Sequence, residues 1–219
     1  KRILLIISGG IAAYKALELV RLLRKDGIAV RAVLTEAARQ FVTPLSLGTL
    51  TEDNVYTDLF DLKDEREIGH IQLSRQAALV VVAPATANIL AKMAGGIADD
   101  LATTLMLATD KPVLAAPAMN VRMWLHPATQ RNIAQLRTDG VTIMEPDEGD
   151  MACGEYGPGR LPEPQAILAS VRAMLATPLG EAQTATARFG QNPPPLRGKH
   201  VLITAGPTHE PIDPVRYIA

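Results

Sequence analysis

The sequence predicts an α/β protein: a doubly wound, mainly parallel sheet with helices on both faces. Short apolar runs alternate with longer helical patterns, which is the signature of repeated strand-helix units. The runs themselves are continuously apolar, as strands covered on both sides must be. The third observation is the scarcity of aromatic residues, three Phe, four Tyr and one Trp, so the core must be built from aliphatic side chains and Ala.

Ile3 to Ile7 reads as a buried strand closed by Ser8-Gly9-Gly10. The segment from Ala12 to Lys25 sets Leu17, Val20 and Leu23 on one helical face, and Gly27 stops it. Ala29 to Leu34 is a second strand. Leu79 to Ala83 and Val113 to Ala116 are further buried strands, each ended by a proline, Pro84 and Pro117, and each followed by a helix. Val141 to Met144 is the last strand, and Pro164 to Leu175 a closing helix with proline in its first turn.

A chain of 219 residues with 47% hydrophobic content can bury one good core but scarcely two. The composition shifts after Ala176, and Pro178 to Leu196, with Pro193-Pro194-Pro195, is linker material. Lys199 to Thr204 is a fresh strand pattern leading into Ala205-Gly206-Pro207-Thr208. The expected organisation is a main domain over 1–177, a linker over 178–196 and the start of a second domain over 197–219. Lys plus Arg total 22 against 23 Asp plus Glu, a net charge of -1, so there is no basic field to hold nucleic acid. The early apolar run is too short to span a bilayer and lacks a signal-peptide cleavage region, which makes the expectation a cytoplasmic protein with no membrane partner. A single cysteine, Cys153, rules out a disulfide framework and a cysteine-rich zinc site, and no metal is expected.

Open parallel sheets bind ligands at the carboxyl ends of their strands, so the loops there carry the functional reading. Ser8-Gly9-Gly10-Ile11-Ala12-Ala13 is either an ordinary tight turn or a phosphate site at a helix N-terminus. It lacks the Gly-x-Gly-x-x-Gly spacing, and no acidic residue closes the second strand, which disfavours nicotinamide cofactors. In Ala83-Pro84-Ala85-Thr86-Ala87-Asn88, Thr86 and Asn88 offer a hydroxyl and an amide at another helix start, where capping alone also explains them. Asp99 and Asp100 complement a helix dipole and receive no catalytic role. Two further loops are Ala116 to Trp124 and Ala152 to Arg160.

The run Pro117-Ala118-Met119-Asn120 followed by Met123-Trp124 resembles the motif of the flavoprotein cysteine decarboxylases. With Gly69-His70-Ile71, the Ala-Pro-Ala-Thr-Ala-Asn loop and Ser-Gly-Gly-Ile-Ala-Ala, the likeness runs in order from the first strand to about Leu175. Ala152-Cys153-Gly154-Glu155-Tyr156-Gly157-Pro158-Gly159-Arg160 resembles the substrate clamp of the branch that decarboxylates 4'-phosphopantothenoylcysteine, a loop that the lantibiotic-peptide decarboxylases do not share. Residues 203–218 look like the opening of phosphopantothenate-cysteine ligase. Fusion of these two activities is a bacterial arrangement, and no ligase activity is expected from the fragment here.

The resemblance implies a Rossmann-like flavoprotein that makes 4'-phosphopantetheine for coenzyme A synthesis. FMN is then expected on Gly9, Gly10, Ile11, Thr35, Thr86, Asn88 and Ala118. It also implies a homo-oligomer, a trimer or trimer-based dodecamer with FMN between protomers, so that His70 and Asn120 meet one flavin from different chains. A saturated cysteine carboxylate has nowhere to put the electrons released when CO2 leaves, and the flavin supplies the sink.

By residue type alone, with the apolar Ile71 beside it, His70 reads more readily as a structural histidine, and the resemblance reverses that. In the family it manages the substrate thiol or the adjacent proton, for which an imidazole titrating near neutral pH is suited. Asn120 is a good helix N-cap. The resemblance adds an amide donor to the substrate carboxylate, with the side-chain oxygen used in capping and the NH2 left for substrate. Cys153 is expected to protonate the enethiol product of decarboxylation from a mobile loop whose Asp150, Gly154, Glu155 and Gly157 argue against an apolar core. Met119 and Met123 are packing or flavin-face residues. A flavin prenyltransferase and a non-catalytic regulatory flavoprotein are the alternatives. The clamp and the ligase-like fragment count against the first, and His70, Asn120 and Cys153 together count against the second.

Overall fold

The computed structural model describes residues 1–58, 70–152 and 154–176, and the short strands at 210–211 and 217–218; His70 and Ile71 are described as backbone only. Six strands form one sheet: β1 (Arg2–Ile7), β2 (Ala29–Leu34), β3 (Val55–Tyr56), β4 (Leu79–Ala85), β5 (Val113–Pro117) and β6 (Thr142–Ile143), in the order β3-β2-β1-β4-β5-β6. Every pairing is parallel, with Ile3 opposite Val30 on one side and Leu79 on the other. The chain therefore winds outward from β1 to β3 and returns to add β4, β5 and β6 on the opposite edge. The order reverses between β1 and β4, where such sheets open a crevice.

The strand period of two divides the apolar runs between two layers. Ile3, Leu5 and Ile7 of β1, with Leu79 and Val81 of β4, pack against α1 (Lys15–Lys25) and α8 (Pro164–Ala176) through Leu19, Val20, Leu23, Ile167 and Val171. Leu4, Ile6, Val80 and Val82 face the other way, toward α4 (Ala87–Gly95), α5 (Leu101–Ala108) and α7 (Pro127–Thr138) through Ile89, Leu90, Leu105 and Ile133. All these side chains are buried, and each contributes on the order of 1.5–3 kcal/mol before the entropy of ordering is set against it. One buried position breaks the pattern. Arg31 on β2 bonds Asp53 at 3.1 Å and Gln76 at 2.9 Å and lies over the Tyr56 ring, so its charge is paired where β2 and β3 adjoin.

Several boundaries differ from the sequence expectation. Pro84 does not end β4, which runs on to Ala85 with a register irregularity after Val82, and Pro117 belongs to β5. A proline lacking its N–H is tolerated at such irregular strand ends. The first helix is preceded by a 3-10 turn over Ile11–Tyr14, so α1 starts at Lys15 rather than Ala12. The last sheet strand has only two residues, and the loop around Ala152 to Arg160 belongs to an antiparallel hairpin, β7 (Asp147–Asp150) and β8 (Tyr156–Arg160). Among the described residues, β3, α2 (Pro44–Thr51) and α3 (His70–Arg75) also lack a counterpart in the sequence expectation.

Residues 1–178 form one compact unit and 179–219 another. Within the latter, β9 (Glu210–Pro211) pairs antiparallel with β10 (Tyr217–Ile218). The expected linker and the strand at Lys199 to Thr204 lie outside the described residues. Among the described residues no helix is long and apolar enough to cross a membrane.

Candidate active site

Three strand ends deliver three helical starts to one place. After β1, the Ser8 hydroxyl is buried and donates to the Pro84 carbonyl at 2.6 Å, while its oxygen accepts from the Thr86 backbone N–H at 3.1 Å. The loops after β1 and β4 are thereby tied together at the switch point. After β2, Thr35 caps a 3-10 turn over Glu36–Gln40 by accepting from the Ala38 N–H at 3.3 Å. After β4, Thr86 caps α4 by accepting from Ile89 N–H at 3.5 Å. Gly9 lets the first and second of these loops touch, since a Cβ there would sit 2.3 Å from the Ala37 Cβ.

These loops border a cavity of about 850 Å³, within the range of roughly 300–1,000 Å³ usual for small-molecule sites. Gly9, Gly10, Ile11, Thr35, Thr86, Asn88 and Ala118, all singled out from the sequence, line it, as does Asn120. The remaining backbone N–H groups of a helix's first turn, with its positive dipole end, favour an anionic group. Ile11, Ala118, Met119, Met123 and Leu161 add an apolar lining that suits a flat ring. The cavity therefore suits a ligand with an anion at one end and an apolar ring at the other.

Asn120 and residues of the hairpin complete the lining. Asn120 caps the short helix α6 (Val121–Leu125), its Oδ1 accepting from the Arg122 backbone N–H at 2.7 Å. The expected free NH2 is not free: Nδ2 donates to Glu155, a hairpin residue 35 positions later. Arg122 Nε donates to the other Glu155 oxygen at 2.8 Å, and that carboxylate holds the Arg122 pKa above its ordinary value. The hairpin is fixed to the β5 loop by Met119 N–H donating to the Gly159 carbonyl at 2.9 Å. The Met-Trp pair of the motif divides its work, Met123 lining the cavity and Trp124 filling the core.

His70 opens α3, which packs on α5; its side chain lies outside the described residues, as does Cys153. Ala152, next to Cys153 in sequence, lines the cavity. Asp100 forms a capping box with Thr103 at the start of α5, a helix-start role as read from sequence, whereas Asp99 pairs with Lys92 of α4 at 2.6 Å. Lys92 and Lys15 line the cavity and were missed. The signal for Lys92 was present, since it stands one helical turn after Asn88 on the same face. Among the described residues no cluster of three or more His, Cys, Asp or Glu could hold a metal.

Helical starts gathered at the switch point of a parallel sheet around a part-apolar cavity define an α/β protein of the nucleotide-cofactor-binding class. The chain belongs to the Flavoprotein family, whose model matches residues 1–176. A second family, the DNA/pantothenate metabolism flavoprotein C-terminal domain, matches residues 196–219. The coenzyme A biosynthesis bifunctional protein CoaBC of Bacillus subtilis (strain 168) is 48% identical over 217 residues, which cover 99% of this chain and 50% of that protein. The protein of the same description from Vibrio vulnificus (strain YJ016) is 47% identical over 218 residues, 100% of this chain and 50% of that one. The chain thus spans about half the length of the curated relatives it matches. Among solved structures, a PPC decarboxylase mutant complexed with pantothenoylaminoethenethiol superposes with a TM-score of 0.69 at 37% identity, covering 78% of this chain and 96% of that one. The FMN-dependent cysteine decarboxylase SpaF gives 0.68 at 35% identity, covering 80% and 97%. The Rossmann-like flavoprotein fold and the family resemblance are both borne out.

Proposed function

We propose that residues 1–177 are an FMN-dependent decarboxylase of 4'-phosphopantothenoylcysteine, releasing CO2 and yielding 4'-phosphopantetheine for coenzyme A synthesis. Residues 178–196 are then a linker, and 197–219 the beginning of a phosphopantothenate-cysteine ligase domain. The observation that carries the reading is a single cavity bounded on one side by helical starts after β1, β2 and β4 and on the other by Asn120 and the β7–β8 hairpin. Its relatives support it: a CoaBC protein, a PPC decarboxylase and an FMN-dependent cysteine decarboxylase.

The cavity fits FMN. The phosphate is assigned to the N–H groups around Gly9, Gly10 and Ile11 with Thr35, and the ring system to the part bordered by Thr86, Asn88 and Ala118. FMN supplies a reversible two-electron sink for a carbon that otherwise cannot stabilise the loss of CO2. The protein's residues bind and orient. Asn120 offers the substrate carboxylate a neutral donor, which orients it without the tight ground-state hold of a cation that would oppose CO2 departure. His70 manages the thiol proton, and Cys153 protonates the enethiol. The assembly is a cytoplasmic homo-oligomer, trimeric or trimer-based, in which His70 of one protomer serves the flavin held by another.

The purified protein should be yellow. Given 4'-phosphopantothenoylcysteine, it should release CO2 and form 4'-phosphopantetheine without external reductant. Cys153→Ser should release CO2 but accumulate the oxidised enethiol. A chain that stays colourless after loading with FMN overturns the proposal, and normal product at the normal rate from Cys153→Ser overturns the proton-donor role.

A further inference from the structure

The Asn120 side chain is held at both ends by partners of opposite character. Its Oδ1 meets a backbone N–H, which can only donate, and its Nδ2 meets the Glu155 carboxylate, which when ionised can only accept. A flipped amide would set oxygen against oxygen at Glu155 and hydrogen against hydrogen at Arg122, so the orientation is chemically determined. Glu155 carries a charge that is wrong for a site receiving a carboxylate. Arg122 Nε lies 2.8 Å from Glu155 Oε1 and offsets it. Neither Glu155 nor Arg122 lines the cavity, so both act through Asn120 rather than on the ligand. The Arg122 side chain is 86% exposed, and an ion pair so exposed adds little to fold stability.

We infer that Glu155 and Arg122 are a positioning pair for the substrate carboxylate: Glu155 fixes the orientation of the Asn120 amide, and Arg122 offsets the charge that Glu155 brings toward the incoming anion. This rests on the carboxylate role proposed for Asn120, and it makes Arg122 a determinant of specificity for a carboxylate-bearing substrate over its decarboxylated product.

The test uses the flavin-loaded protein, with KM and kcat for 4'-phosphopantothenoylcysteine and KI for 4'-phosphopantetheine, which lacks the carboxylate. Arg122→Gln should raise KM roughly three- to ten-fold, the range for one screened like-charge contact, and leave KI unchanged. Adding Glu155→Gln should restore KM, because the carboxylate charge is gone while the Gln oxygen still accepts from Asn120. Glu155→Ala, which releases the amide, should lower kcat roughly ten-fold, with Glu155→Gln retaining most of it. All variants should keep the wild-type Tm within about a degree or two. KM and KI rising together, or a double variant no better than Arg122→Gln, overturns the pair while leaving the decarboxylase reading intact. Absence of CO2 from the wild-type protein overturns that reading and this one with it.

Discussion

The wall of the cavity at the ends of β1, β2 and β4 is built on helical starts, with Thr35, Thr86 and Asn88 among its residues, whereas the wall of Asn120 and the hairpin depends on side chains joined across 35 residues of sequence. In the first, the helical starts carry main-chain N–H groups, fixed by helices that the sheet itself positions. Side-chain replacement cannot remove them. In the second, orientation depends on a chain of contacts from Arg122 to Glu155 to Asn120, any of which one substitution alters. A backbone wall suits a group that stays bound through many cycles, and a side-chain wall suits the part of the site whose occupant changes at each turnover.

Each wall depends on one close approach, and replacing the two glycines involved sets the walls against each other. A Cβ at Gly9 would lie 2.3 Å from Ala37 Cβ and 2.6 Å from the Ala37 carbonyl carbon, so Gly9→Ala must push two backbone loops apart. Overpacking of this kind costs about 1–3 kcal/mol. Flavin retained after dialysis should fall at least about ten-fold if, as proposed, the displaced loop holds the phosphate. At Gly159 a Cβ would lie 2.3 Å from the Met119 carbonyl oxygen, at a φ of +146° that side chains rarely adopt. Gly159→Ala should lower kcat/KM by a similar factor yet leave flavin content near normal. Equal loss of flavin in both variants would show that the walls are not separable.

A smaller effect is expected at Thr86, which belongs to the backbone wall but contributes a side chain. Thr86→Val keeps the shape and removes the cap on α4 as well as the contact with the Ser8 hydroxyl at 3.2 Å. Loss of an N-cap costs about 1 kcal/mol, which lowers the Tm of a protein this size by roughly 2–4 °C. Flavin affinity should drop less than in Gly9→Ala, because the N–H donors after β1 remain. A loss of flavin as large as that of Gly9→Ala would mean that the hydroxyl itself holds the ligand.

The backbone wall was the more legible of the two in sequence. Unbroken runs such as Ile3–Ile7, each followed by small or capping residues, announce both the strand and the helix start, because both signals are local. Proline misled at Pro84 and Pro117, where strand ends carry irregular pairing that tolerates a missing donor. The hairpin strands Asp147–Asp150 and Tyr156–Arg160 have no apolar alternation, so their pairing was invisible to a period-two reading. The role of Glu155 could not be read either, since nothing local says which distant residue a surface carboxylate meets. Asn120 was legible as a cap from its own neighbours, and its second partner was not.

The smallest expected effect concerns Lys92, which stands on the α4 face that borders the cavity and binds Asp99 at 2.6 Å and Asp100 at 3.6 Å. Its hydrogen bond is the main cause holding the Asp99 carboxyl below its ordinary pKa, and the same bond raises the Lys92 pKa. An Asp lowered in the folded state stabilises above its unfolded pKa, about 3.9, and loses that contribution as pH falls through the lower folded value. A Lys raised in the folded state stabilises below its unfolded pKa, about 10.4, and loses it as pH rises through the higher folded value. Lys92→Met should therefore lower Tm at neutral pH by less than Thr86→Val does, with the difference from wild type shrinking toward acid and toward strong alkali. Such a profile with unchanged flavin content makes Lys92 a strut of the backbone wall. A Tm difference that stays constant from neutral to acid pH, joined to a loss of flavin, would instead make its ammonium a direct ligand contact, and would give that wall a charged side chain essential to binding.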